Sequence, residues 1–352
     1  MTVVLFIFSR KTCLSSLRGA QRRSNLPYRS FYSADKKDFR KPQRVFLFFN
    51  DSAILKKMNL EQIFAKFIER ENLTKKKLLL LVSGGVDSMV LLNIASKICN
   101  KNSIEVLHFN HNTRKNCVQD FELVKNVCQK NNIKFHGEVL PMIKKSDQEN
   151  QWRKLRQKIS RDLAKKISAE RILTAHHATD LVETMIFRLT KGCGPSGLSP
   201  FELGKKPFWQ VPKSDLINYA KSNNLEWHED ESNKKSIHSR NLIRNKVLPE
   251  LRKITPNLEK VFVRESQIFA EITEYLNQEV REKSAKKEIP LSEFLKLPFI
   301  LQAELLREIS REIPSMSELE DCLKWLKKDP PGGSVKSIGG TKLKLVKGVI
   351  VW

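Results

Sequence analysis

The stretch Ser83-Gly84-Gly85-Val86-Asp87-Ser88 restricts what this chain can fold into more than any other. The apolar run Leu78 to Val82 leads into it and Met89-Val90-Leu91-Leu92 comes next, which is the order strand, tight turn, helix. Adjacent glycines let the backbone turn without a Cβ penalty. Such a turn brings free N–H groups and the positive end of a helix to one point, which suits an anion. Ser83 and Ser88 add hydroxyls, and Asp87 can hold Mg²⁺ on a bound anion. No Lys follows the glycines, so this is not the GxxxxGKS/T phosphate loop. Taken alone, the stretch leaves open an ordinary glycine-containing turn.

The chain beyond this turn repeats the strand–helix alternation. Strands are predicted at Leu78–Val82, Ile104–Phe109, Phe135–Leu140 and Arg171–Ala175, and helices at Ser88–Ile98, Asp120–Asn131, Gln148–Ile167 and Asp180–Leu189. That order predicts an α/β fold with a parallel sheet covered by helices. Ligands of such sheets bind beyond the carboxyl ends of the strands, where Ser83–Ser88, His108–Arg114 and His176–Glu183 fall. Before the sheet, Leu60-x-x-Ile63-Phe64-x-x-Phe67-Ile68 has helical spacing, preceded by a basic linker around Val45 to Phe49. Gly192-Cys193-Gly194-Pro195-Ser196-Gly197 is a loop, and Ser214–Asn223 a further helix. From Ser239 the chain reads as helical to about Arg311, with breaks near Pro290 and Pro298. Ser317–Lys327 is the last helix, and Val335–Trp352 reads as a hairpin.

The chain has 352 residues and a net charge of +25, from 64 Lys+Arg against 39 Asp+Glu. Such an excess points to a polyanionic partner, most simply nucleic acid, while solvated lysines on helix surfaces account for many of these charges and stay open as the plainer reading. No run reaches the ~18 apolar residues of a membrane span. The six cysteines, Cys13, Cys99, Cys117, Cys128, Cys193 and Cys322, form no CxxC pair, so neither a zinc site nor a disulfide framework is expected. Residues 1–34 carry six Arg/Lys and no acid, with frequent Ser and Thr. That is the composition of a mitochondrial transit peptide, and the matrix is the expected location.

SGGxDS after a strand resembles the PP-loop of ATP pyrophosphatases, which split ATP into AMP and pyrophosphate. The later motifs resemble, in order, those of the tRNA(Ile)-lysidine synthase family. His108-Phe-Asn110-His111-Asn-Thr-Arg114 is similar to its HxNHxxR segment. Thr174-Ala175-His176-His177-Ala178-Thr179-Asp180-Leu181-Val182-Glu183-Thr184 is similar to its TAHHxDDQxET. Lys191 to Leu198 resembles the RGxGxxGL loop, and Lys206-Pro207-Phe208-Trp209 stands where RPLL is usual. Trp227 to Asn233 and Arg240 to Pro249 resemble WxEDxSN and RNxIRxxLLP. The match runs from about Leu78 to Leu251, half of the chain. Thr179 and Leu181 replace an Asp and a Gln of the family pattern, and Lys206 replaces an Arg, losing its planar fork. These departures suggest a relaxed, organelle-type member.

The resemblance implies a PP-loop (HUP-like, Rossmann-like) catalytic domain over 75–235, after a transit peptide at 1–34 and a linker and entry helix at 35–74. A helical tRNA-binding region at 236–352 ends in the hairpin. It implies ligation of L-lysine to C2 of the wobble cytidine in an isoleucine tRNA with a CAU anticodon, through ATP-dependent adenylation of the base. ATP and Mg²⁺ are the implied cofactors, with Asp87 the metal ligand; a homodimer is compatible with the sequence. Ser83, Gly84, Gly85, Val86, Asp87 and Ser88 would cradle ATP. Asp180 and Glu183, three apart on one helix face, would grip the lysine amines, and one could act as base. His176 would contact phosphate or orient a carboxylate. Arg156, on one face with Arg153, would stabilise charge on phosphate. Arg114, Lys206, Arg240, Asn241 and Arg244 would meet the tRNA, phosphates above all.

From the residues alone, an acidic helix start, a satisfied core histidine at His177 and a solvated face at Arg153/Arg156 stay open. Two alternatives remain as well: another PP-loop tRNA modifier of thiolase type, or a non-catalytic tRNA-binding descendant.

Overall fold

The computed structural model describes residues 58–110, 116–141, 148–199, 203–228, 239–312 and 314–352. The expected transit peptide and linker up to residue 57, the candidate residues His111 and Arg114, and Glu229 to Asn233 lie outside them.

Helix α1 (Leu60–Arg70) is the entry helix. Asn59 and Gln62 form a capping box at its start, and Leu60, Phe64, Phe67 and Ile68 are its buried stripe. The strands β1 (Leu78–Leu81), β2 (Ile104–Asn110), β3 (Lys134–Val139) and β4 (Arg171–Leu173) form one parallel sheet in the order β3-β2-β1-β4. Helices α2 (Val86–Ile98), α3 (Asn116–Lys130) and α4 (Gln148–Lys166) are the crossovers.

Period-2 alternation puts Leu78 and Leu80 on the face packed with Val90, Leu91, Ile94 and Phe64. Leu79 and Leu81 face the other layer, with Ile159, Leu163 and Ala164 of α4. Burial on both faces is why β1 is an unbroken run of leucine. The order places β1 between β2 and β4, so the chain reverses its direction of travel across the sheet there. With Leu80 paired to Leu173, β1 and β4 end side by side at the switch point, where α/β sheets open a crevice.

Beyond β4 come α5 (Ala178–Leu189), α6 (Pro195–Leu198) and α7 (Lys213–Ser222). The RNxIR segment starts as α8 (Ser239–Leu242), widens into a π turn at Ile243–Val247, and continues as α9 (Leu248–Ile254). Pro249, which has no N–H to donate, lies two residues past the wide turn. The long helix α10 (Leu258–Ser284) then crosses from the first core to a second one.

That second core gathers Val280, Phe294, Leu305, Leu306, Leu319, Leu323, Leu343 and Ile350. It is built from α11 (Leu291–Lys296), α12 (Phe299–Ile309), α13 (Met316–Lys327) and a small antiparallel sheet. The expected hairpin is β6 (Val335–Ile338) with β7 (Thr341–Val346), turned by Gly339-Gly340, both at positive φ. It is wider than the sequence suggested. β8 (Val349–Val351) pairs with β7, and β5 (Glu288–Pro290) pairs with β8. Pro290 ends its strand and starts α11, so the expected break there is a change of element. No helix of the described residues is long and apolar enough to cross a membrane.

Candidate active site

The loop after β1 is held open for a ligand by its own side chains. Ser88 is buried; its Oγ donates to the Gly85 carbonyl (2.9 Å) and accepts from the Ser83 N–H (3.1 Å). Ser83 Oγ lies 3.2 Å from it. Ser88 thus closes the loop rather than facing outward. Gly85 caps α2 without a side-chain acceptor, so the first-turn N–H groups stay available to an anion.

Gly84 sits at φ +90° with its carbonyl fixed by the His228 N–H (3.1 Å), and a Cβ there would lie 3.2 Å from Asp120 Cβ. Gly84→Ala is therefore expected to strain the loop by about 1–3 kcal/mol. Titration calorimetry should show ATP binding weakened about tenfold or more; unaltered affinity would remove the loop from the ATP site.

The second wall comes from β4 and α5. His177 is buried and caps α5: its Nδ1 accepts the Asp180 N–H (3.3 Å), while Asp180 Oδ2 accepts the His177 N–H (3.1 Å). With Nδ1 an acceptor, the proton of the neutral ring is on Nε2. Nε2 lies 3.5 Å from Asp87 Oδ2 and 3.5 Å from Asp180 Oδ2. One imidazole therefore bridges the anion loop and the acid-bearing turn. Lys213 Nζ stands 3.9 Å from Asp87 Oδ2. Asp87 Oδ1 is buried with no hydrogen-bond partner. Asp180 also realises the acidic-helix-start reading, because it completes the cap while its second oxygen faces Arg244 at 3.5 Å.

Glu183 is completely buried, and both its oxygens are held by the Arg244 fork, Nε to Oε1 at 2.6 Å and Nη2 to Oε2 at 2.9 Å. Arg240 adds Nε at 3.4 Å from the same carboxylate and donates Nη2 to Thr184 Oγ1 (2.9 Å). The motif pattern assigns the acids to lysine and the arginines to tRNA. In the structure Glu183 and Arg244 are each other's partners. Asp180 is the more accessible acid, and Arg240, half exposed, the more accessible cation.

Charges of both signs set the ionisation of the site. Burial pushes the Asp180 carboxyl up, but His177, its N–H and Arg240 outweigh this and hold it below the ordinary carboxylate range. Burial opposes the charge on Arg244, yet Glu183, Asp180 and Asp87 together raise its pKa. His176 donates to or accepts from Thr174 Oγ1 at 2.8 Å. Water reaches this ring, but the protein packed around it, and then the Lys206 cation, lower its pKa to about 4. Lys206 is thereby placed beside the site. The folded ring binds its proton more weakly than the unfolded one, so this group's contribution is present above the ordinary imidazole pKa. It is lost as pH falls from there through about 4. In proton NMR, the His176 resonance, assigned with His176→Gln, should stay in its neutral position down to about pH 5; titration near the ordinary imidazole value would refute this.

Arg156 lies on α4, with its carbonyl accepting from Ser160 Oγ. Asn241 sits in α8, one residue beyond Arg240. Sequence reasoning does not single out Lys213, Asp120 or His228 as contacts of the loop. Lys213 carries no signal, whereas His228 lies inside the WxEDxSN match. Burial raises the thiol pKa of Cys99 to about 11, Cys128 to about 12 and Cys322 to about 11. Cys193 is raised too, by burial against a smaller opposing effect of Arg188. None of these four is poised as a thiolate nucleophile.

Fold and loop together define a PP-loop protein, and a family model described as a PP-loop domain matches residues 56–251. The tRNA(Ile)-lysidine synthase of Petrotoga mobilis is 32% identical over 302 residues, 81% of this chain and 95% of that one. The tRNA(Ile)-lysidine synthase of the Aster yellows witches'-broom phytoplasma is 32% identical over 255 residues, 66% of this chain but 56% of that one. Among solved structures, the U34-tRNA thiolase NcsA of Methanococcus maripaludis shares the fold, with a TM-score of 0.50 at 15% identity over 60% of this chain and 78% of that one. The chain belongs to the tRNA(Ile)-lysidine synthase family of PP-loop proteins.

Proposed function

We propose that the chain ligates L-lysine to C2 of the wobble cytidine in the CAU anticodon of an isoleucine tRNA, consuming ATP and releasing AMP and pyrophosphate. The observation that carries this reading is the His177 bridge between Asp87 of the anion loop and Asp180 of the acid turn. A nucleotide held by its phosphates on Ser83–Ser88 and an amine held by Asp180 would then lie next to one another, as an adenylated base and its attacking amine must. The base O2 attacks the α-phosphorus and pyrophosphate leaves. The lysine ε-amine then attacks C2, the C2–O bond breaks, and the oxygen departs with AMP.

Lysine arrives as an ammonium, and the Asp180 carboxyl, held below the ordinary carboxylate range by His177 and its neighbours, is a far weaker base than the amine. Asp180 is therefore a counter-ion first. It can take the proton only as the C–N bond forms and the nitrogen becomes acidic. Glu183 keeps Arg244 in place, and Lys213, Lys206 and Arg240 oppose phosphate charge. Arg156, midway along α4, and Arg114 complete the proposed phosphate set, while Asn241 and the basic surface after it serve the tRNA.

Mg²⁺ fits this donor set. The Asp87 carboxylate is a hard ligand with one orphaned oxygen. Mg²⁺ is commonly held by one or two carboxylates plus substrate phosphates, the part Asp87 could play. When bound it would neutralise charge on the leaving pyrophosphate.

For the chain as a whole we propose a matrix-targeting leader at 1–34, a linker and entry helix at 35–74, a catalytic domain at 75–235 and a tRNA-binding region at 236–352. The acid-free, basic leader supports the location; a reporter fused to residues 1–34 that stays out of mitochondria would refute it. The function is tested by incubating the protein with CAU-anticodon isoleucine tRNA transcript, ATP, Mg²⁺ and labelled lysine. Label should enter the tRNA only when ATP is present, and an unlabelled tRNA would overturn the reading.

A further inference from the structure

Both departures from the family's acid-bearing motif, Thr179 and Leu181, fall where α5 meets the long helix α10. Leu181 packs with Ala178, Trp209 and Val263, the last on α10. Thr179 is buried. Its hydroxyl lies 3.2 Å from Glu259 Oε1, to which it donates, and 3.4 Å from the Lys213 N–H, from which it accepts. Glu259 stands in the first turn of α10 and also pairs with Arg252 of α9. Burial pushes its carboxyl up, and Arg252, its own N–H and Thr179 together hold it below the ordinary range.

A hydroxyl can donate and accept at once, whereas an ionised carboxylate only accepts. An Asp at position 179 would set a buried anion against the partly buried Glu259. The threonine is thus matched to its partner on α10. It also links three parts of the site in one step: the turn that presents Asp180, the start of α7 whose Lys213 ammonium faces Asp87, and the base of α10.

We propose that Thr179 and Glu259 are positioning residues of the lysine site, a clasp through which the helical region sets the direction of Asp180. This rests on the ligase reading above. The test is steady-state lysine incorporation with lysine and ATP varied separately. Thr179→Val should raise the KM for lysine about tenfold while the KM for ATP stays within about twofold, and Thr179→Ser should restore the lysine value. Glu259→Ala, which removes the acceptor, should move the same KM, and Glu259→Ala added to Thr179→Val should cost little more, because the two residues act as one unit. Thr179→Asp should fall below Thr179→Val. A lysine KM within about twofold of wild type in both Thr179→Val and Glu259→Ala would overturn the clasp, since a role confined to stability would reduce the amount of active enzyme without moving KM. Wild-type protein that incorporates no lysine would instead defeat the ligase reading.

Discussion

Asp180→Asn should lower lysine incorporation by about 10²- to 10⁴-fold while leaving ATP binding and thermal stability near those of wild type. The side chain has two duties that this substitution separates. As a cap it accepts the His177 N–H at 3.1 Å, and an amide oxygen accepts that bond as well. As a charge it lies beside the bridging His177 and 3.5 Å from Arg244, in the position to hold an ammonium, which an amide cannot neutralise. Asp180→Ala loses both, and should add about 1 kcal/mol of instability to the catalytic defect. Thermal melts and the labelled-lysine assay on the two variants distinguish the contributions. An Asp180→Asn enzyme keeping more than about a tenth of wild-type incorporation would remove Asp180 from the lysine site.

The parts of the molecule that were legible in the sequence are those whose signal is local. Leu78 to Leu81 read as a strand because four leucines in a row before two glycines fit burial on both faces of a sheet. Gly84 is required by its own φ. Asp180 read as an acid at a helix start, and the structure adds its reciprocal cap with His177. The strand order was not legible, since the same alternation of strands and helices serves many orders; only the pairing of Leu78 with Arg171 brings the two ligand loops together. Strand β5 is three residues long and ends in Pro290, below any strand signal until Val349–Val351 is beside it. Arg240 and Arg244 read as phosphate contacts because residue type fixes charge but not partner. The acid that Arg244 grips is 61 residues away, and the π turn that helps aim it has no composition of its own.

Arg244→Met should destabilise the fold by about 3 kcal/mol, because it strips the completely buried Glu183 carboxylate of its two close bonds and leaves only the Arg240 contact at 3.4 Å. For a chain of 352 residues that is a fall of roughly 4 °C in Tm. Arg244→Lys keeps the charge but cannot meet both oxygens at once, so it should lie between wild type and Arg244→Met. If the cost comes from the stranded acid, replacing both partners by apolar residues of similar volume should recover most of it. Arg244→Met with Glu183→Leu is therefore expected to melt close to wild type, yet remain without activity, since Asp180 and Arg240 lose the group that orders them. The same experiment separates this anchor from a contact to tRNA. An Arg244→Met protein that melts within about 2 °C of wild type but binds tRNA weakly would make Arg244 a phosphate ligand and leave the pairing with Glu183 energetically idle.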